Sequence, residues 1–156
     1  VGRERQFKES DLNQLVGEVI EELQGTIQEY DAKVEVKTLP TIEVVDIDIK
    51  RIFQNLISNA IKYRKEGSAP KVRIEAKEEK KDKKWVFSVS DNGMGIAKEQ
   101  YDTIFQIFKQ LHGRDEYDGM GIGLSICKKV VELHGGTIWL ESQEQEGSTF
   151  YFSLRA

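Results

Sequence analysis

One cysteine in 156 residues has no partner within the chain, so no internal disulfide holds this fold. Cys127 falls on the apolar face of the last predicted helix and reads as a packing residue, compatible with a reducing cytoplasm. Long apolar runs are missing as well. None approaches the ~20 residues that a bilayer-spanning helix needs, and no signal peptide is present, so a cytoplasmic location without direct membrane contact is expected. There is no excess of positive charge: the net charge is −4 and the pI about 5.4, which argues against nucleic acid or an anionic membrane as partner. Two familiar phosphate loops are also absent. The run GMGIG is spaced GxGxG rather than GxGxxG, the polar segment HGRDEYD precedes it in place of a strand, and no GK[ST] follows.

What is present is an ordered set of four pieces. Residues 48–63 are apolar at Ile49, Ile52, Phe53, Leu56, Ile57, Ala60 and Ile61, the rhythm of a helix with one buried stripe. Asn55 and Asn59 lie together beside that stripe. Asparagine is a poor helix former, so two on one face need a reason. A carbonyl at the stripe's edge can complete the octahedral shell of a Mg2+ whose other ligands are phosphate oxygens and waters, and Asn59 is the residue placed on the metal. The alternative is an ordinary polar helix surface.

Residues 85–90 alternate as a half-buried strand, and DNGMGI follows, so Asp91 stands where the strand ends and the chain turns. An ionised carboxylate accepts hydrogen bonds and donates none, which suits the amino group of adenine and repels the carbonyl of guanine. Gly93 and Gly95 let the backbone pass close to a base, although DNG taken alone favours a surface turn. The third piece, with Gly119, Gly121 and Gly123, precedes a predicted helix over 124–133; free N–H groups and a helix N-terminus would attract phosphates there. The fourth, Gly147-Ser148-Thr149-Phe150, opens a last strand over 149–154, which a plain hairpin turn explains nearly as well. Together the four make an ATP site the expectation.

With these motifs the chain resembles the ATP-binding catalytic domain of two-component sensor histidine kinases, and more distantly the ATPase superfamily of DNA gyrase, Hsp90 and MutL. The resemblance runs over an asparagine box (55–63), a first glycine box (91–96), a phenylalanine box (104–108), a second glycine box (119–124) and a third (147–150). The run LHGRDEYDGMGIGLSICKKVVELHGG is similar to kinases of the phytochrome-like group. The resemblance implies Asn59 on Mg2+, Lys62 near the phosphates, Tyr63 against adenine and Asp91 reading its amino group. It also implies a nucleotide pocket shaped by Gly93, Gly95, Ile96, Phe108, Gly119, Gly121, Ile122, Gly123, Leu124 and Thr149, with Asn55, Asn59 and Lys62 as the catalytic set.

Asn55 stands where the gyrase and Hsp90 branch has a glutamate that deprotonates water; an amide cannot act as that base, so hydrolysis should be slow. Related kinases carry an arginine near Gln110, and Lys109 and Arg114 are the substitutes at hand. The family's phosphoacceptor histidine lies on a separate helical hairpin. His134, before Gly135-Gly136, reads as a helix C-terminal residue, and His112 falls in a predicted lid over 109–120, so neither is the acceptor. The chain, opening at Val1, therefore reads as one domain excised from a longer protein, its implied partners being the dimerisation and phosphoacceptor hairpin and a response-regulator receiver domain. A gyrase-like conformational ATPase and an anti-sigma-factor type serine kinase are the competing functions.

The expected fold is a two-layer α/β (α+β) sandwich, a largely antiparallel mixed sheet on three helices. One helix begins at an Asp11 cap and carries Leu12, Leu15, Val16, Val19, Ile20, Leu23 and Ile27 on one face. Strands are expected at 34–38, 43–45, 72–76, 85–90, 137–142 and 149–154, with a short one near 6–8 at the sheet edge and KEEKKDKK as a solvated hairpin. Phe105 and Phe108 are either an exposed docking knob or core.

Overall fold

A computed structural model describes residues 6–101, 103–105 and 114–155, with the backbone alone for 114–122. In chain order the elements are β1 (Lys8–Asp11), α1 (Leu12–Glu22), α2 (Gln24–Glu29), β2 (Lys33–Val36), β3 (Thr41–Val44), α3 (Asp46–Lys62), β4 (Lys71–Glu79), β5 (Lys84–Asp91), a 3-10 turn (Lys98–Gln100), α4 (Arg114–Leu133), β6 (Ile138–Gln143) and β7 (Gly147–Arg155). Five strands form one sheet in the order β2-β4-β5-β7-β6, parallel between β2 and β4 and antiparallel elsewhere. The helices cover one face of it, with α3 in the middle touching α1, α4, β4 and β5. The expected two-layer sandwich with a largely antiparallel mixed sheet is the fold observed.

Asp11 caps α1 as expected, its Oδ1 accepting from the N–H groups of Asn13 at 2.9 Å and Gln14 at 3.4 Å. Leu12, Leu15, Val16 and Val19 are buried on the predicted face. The helix breaks at Leu23, whose N–H is shared between the carbonyls of Val19 and Ile20, and Ile27 continues the same face from α2. That break gives four α-helices among the described residues where three were expected. The strand expected near 6–8 lies instead at Lys8–Asp11 and pairs with β3 in a separate two-stranded sheet. The cap turns the chain into α1 at once and Leu12 N–H bonds the Pro40 carbonyl, which sets β1 beside β3 and away from the main sheet.

The apolar stripe of α3 is buried throughout and meets the sheet at Phe53, whose ring packs edge-on against Phe152 (5.4 Å) and Phe87 (6.2 Å), themselves stacked at 5.0 Å. The charged hairpin is longer than its apolar residues suggest. β4 and β5 continue outward through Glu78↔Trp85 and Glu79↔Lys84, because antiparallel pairing satisfies the backbone wherever side chains point into water.

α4 departs most from expectation: it starts at Arg114 rather than near 124, so Gly119, Gly121 and Gly123 lie inside it. Glycine permits loop and helix alike, at a cost of up to about 1 kcal/mol each relative to alanine in a helix interior. Backbone N–H groups inside a helix belong to its own ladder, so this conformation does not present the run as an open phosphate loop. At the other end His134 is buried. Its Nε2 accepts from the Val45 N–H at 3.1 Å, which places the proton on Nδ1, 2.8 Å from the Val130 carbonyl. The imidazole thereby ties the last turn of α4 to the start of α3.

Candidate nucleotide site

β5 ends at Asp91, and two backbone N–H groups converge on its Oδ1: Gly93 at 2.8 Å and Ser148, from neighbouring β7, at 3.2 Å. Burial dominates these bonds and pushes the carboxyl up to about 6. Asp91 lines a cavity of ≈ 250 Å3 with Asn59, Tyr63, Met94, Gly95, Gln145 and Ser148 among its walls. Small-molecule sites begin near about 300 Å3, so this one suits a flat ring system rather than a whole nucleotide. Asn59 reaches the cavity from α3. Its Nδ2 is buried and has no hydrogen-bond partner among the described residues. An unmet buried donor costs about 1–3 kcal/mol, which a ligand oxygen would recover.

Glycines set the walls. Gly95 has φ +77, and a Cβ there would run into the backbone of Gln143 and Glu144 in the β6–β7 turn. At Gly93 a Cβ would lie 2.6 Å from the Tyr63 carbonyl and 3.0 Å from Asp91 Oδ1. A hydroxyl chain backs the cavity: Ser142 Oγ contacts Ser148 Oγ at 2.7 Å and accepts from Ile96 N–H at 2.7 Å, while Tyr101 Oη donates to the Ser142 carbonyl (2.6 Å) and accepts from its N–H (2.7 Å).

The structure thus brings Asn59, Tyr63, Asp91, Gly95 and Ile96 together in one cavity, with Gly93 directly behind Asp91. Lys62 is exposed at the same helix end, its Nζ 5.4 Å from the Tyr63 ring centroid. Other expected members stand elsewhere. Thr149 donates to Ser90 Oγ at 3.0 Å on the opposite face of the sheet, and Ser148 occupies the place expected for it. Asn55 points between helices: Nδ2 approaches Cys127 Sγ at 3.8 Å, and a Cβ on Gly123 would lie 3.0 Å from Oδ1. Leu124 is fully buried in the core. Gly119, Gly121 and Ile122 are helical, Phe108, Lys109, Gln110 and His112 lie outside the described residues, as does the side chain of Arg114. Phe105 packs edge-on against Phe150 at 6.2 Å, favouring core over knob. Sequence reasoning missed Gln100, Glu144 and Gln145, which reach the cavity only through tertiary folding, and did not single out Met94 within the first glycine box.

Residues 44–156 match the family described as "Histidine kinase-, DNA gyrase B-, and HSP90-like ATPase". The chain belongs to this family. The phytochrome-like protein Cph1 of Synechocystis sp. is 45% identical over 93% of the chain, and the adaptive-response sensory kinase SasA of Synechococcus sp. (strain JA-3-3Ab) is 37% identical over 94%. These matches span 19% and 39% of those two proteins. Among solved structures, the catalytic domain of histidine kinase ThkA is 31% identical with a TM-score of 0.79, covering 96% of this chain and 95% of that one. Family membership accounts for the fold and for a site built to bind ATP.

Proposed function

We propose that the chain is the cytoplasmic catalytic, ATP-binding module of a sensor histidine kinase: it holds Mg2+–ATP and presents the terminal phosphoryl group to a histidine on a separate dimerisation and phosphoacceptor hairpin. The observation that carries this reading is the pairing of Asp91, an adenine-type acceptor, with the unsatisfied amide of Asn59 across one cavity. ThkA, 30% identical over 95% of this chain, has been solved with the response regulator TrrA; a receiver domain is accordingly the proposed next recipient.

Asp91 accepts from the adenine amino group while Tyr63 packs on the ring. Among the described residues no cluster of three His, Cys, Asp or Glu could hold a metal, so a cation here depends on phosphate oxygens, water and the Asn59 carbonyl. Mg2+ in that place would neutralise charge on the phosphates. Lys62, exposed at the end of α3 beside Tyr63, is the cation we assign to phosphates leaving the cavity. Catalysis is then positioning and charge neutralisation, with the phosphoryl group passing in line to the incoming nitrogen. Asn55 cannot deprotonate water, so ATP is spared for that transfer. Among the described residues no helix is long and apolar enough to cross a membrane.

Calorimetric titration of ATP, ADP and GTP with and without Mg2+, followed by a phosphate-release assay, tests the proposal. Adenine-selective binding with almost no release supports it. No adenine-selective binding refutes the nucleotide site, and brisk release favours a gyrase-like ATPase. Acid-labile phosphate on a partner hairpin separates histidine from serine transfer.

A further inference from the structure

A chain of hydrogen bonds links three residues of the cavity wall, and two of its members, Lys65 and Gln145, lie outside every motif in the sequence. The Tyr63 carbonyl accepts from Met94 N–H at 3.0 Å, the Met94 carbonyl from Gln145 N–H at 2.5 Å, and the Gln145 carbonyl from Lys65 Nζ at 2.6 Å. Arg64 joins Lys65 back to Tyr63 through the main chain. Tyr63, Met94 and Gln145 all line the cavity, as does Glu144 beside Gln145.

We propose that Lys65 is a positioning residue for the nucleotide, holding the β6–β7 turn against the base; this rests on the ATP-binding reading above. Gln145 sits at φ +67, a left-handed conformation uncommon for a residue with a side chain. Its N–H and its C=O are both held, by Met94 and by Lys65. The Lys65 bond goes to a backbone carbonyl, so it fixes where the turn lies whatever side chain the turn carries. It also spans 80 positions of sequence, joining the loop after α3 to the last hairpin. Without it the turn keeps the Met94 bond and the Ser142 contacts, enough to fold but with more freedom to swing from the base. Lys65 is itself not a wall of the cavity, which separates its part from that of Asp91 or Tyr63.

The test compares wild type, Lys65→Met and Lys65→Arg for binding of adenosine and of Mg2+–ATP, and for release of a fluorescent ATP analogue. Lys65→Met is expected to weaken adenosine and ATP by the same factor, about three- to tenfold for one water-exposed hydrogen bond from a charged donor. Release should quicken by a similar factor, amide exchange at Gln145 should accelerate, and Lys65→Arg should retain near wild-type binding. Unchanged affinity and release overturn the proposal. So does a loss confined to ATP, which would put Lys65 on the phosphates instead. Wild-type chain that binds neither adenosine nor ATP refutes the ATP-binding reading itself, a result distinct from both.

Discussion

Asp91 cannot become asparagine without turning its recognition around. The N–H groups of Gly93 and Ser148 both point at Oδ1, so an asparagine there would keep its oxygen on them and turn its NH2 toward the cavity. That donor opposes the adenine amino group and suits a guanine carbonyl. Asp91→Asn should therefore weaken ATP at least tenfold, about the worth of one hydrogen bond to a charged group, and shrink the ATP-over-GTP preference, as calorimetry would measure. Undiminished ATP binding would remove Asp91 from the base. The same change should stabilise the empty fold. The carboxyl is raised from 3.8 to about 6 by burial, so its favourable contribution is complete below pH 3.8 and lost as pH rises through 6. At one pKa unit per 1.36 kcal/mol this is roughly 3 kcal/mol at most, so urea unfolding at pH 7 should show Asp91→Asn more stable by about 1–3 kcal/mol. At pH 3.5 the two proteins should be nearly equal.

At the scale of elements, what the sequence conveyed was periodicity, and what it withheld was choice of partner. The stripe of α3 and the face of α1 were legible because each is set by residues three and four apart. Residues Phe150, Phe152 and Leu154 also held the signal that was missed at 148 and 149: they are buried, and their parity matches Ser148 rather than Thr149. A one-residue slip in a strand exchanges the faces. The start of α4 was not legible, since Gly119, Gly121 and Gly123 fit a loop and a helix alike. The pairing of β1 with β3 and the approach of Glu144 and Gln145 to the cavity depend on contacts distant in sequence. Gly95 is where two such segments meet. Gly95→Ala would be strained at φ +77 and would drive a Cβ into the Gln143 carbonyl, so a loss of at least about 2 kcal/mol is expected, seen as a melting point lower by roughly 4–8 °C. Nucleotide binding should fall with it, and a variant that melts and binds as wild type would contradict the packed turn.

The molecule as a whole places its nucleotide cavity at the end of α3 that carries Tyr63, while His134 joins α3 to α4 at the opposite end. Ligand bound at one end should stabilise the fold globally, because α3 contacts α1, α4 and the sheet together. ATP or ADP at a hundred times its dissociation constant adds about 2.7 kcal/mol, a rise in melting temperature of roughly 5–10 °C, and GTP at the same concentration should add little. Equal shifts with ATP and GTP would argue against base recognition by Asp91. Between the two ends, where α3 meets α4, lies the lone thiol. Cys127 is fully buried and its desolvation pushes the thiol up to about 12, so it is shielded both by packing and by its proton. Its Sγ is 3.8 Å from Asn55 Nδ2, one helical turn from Asn59. A thiol reagent can reach it only when α3 and α4 part. The native protein thus carries its own clock: the rate of cysteine labelling counts how often the helices separate, with no probe to engineer and no second cysteine to confuse the reading.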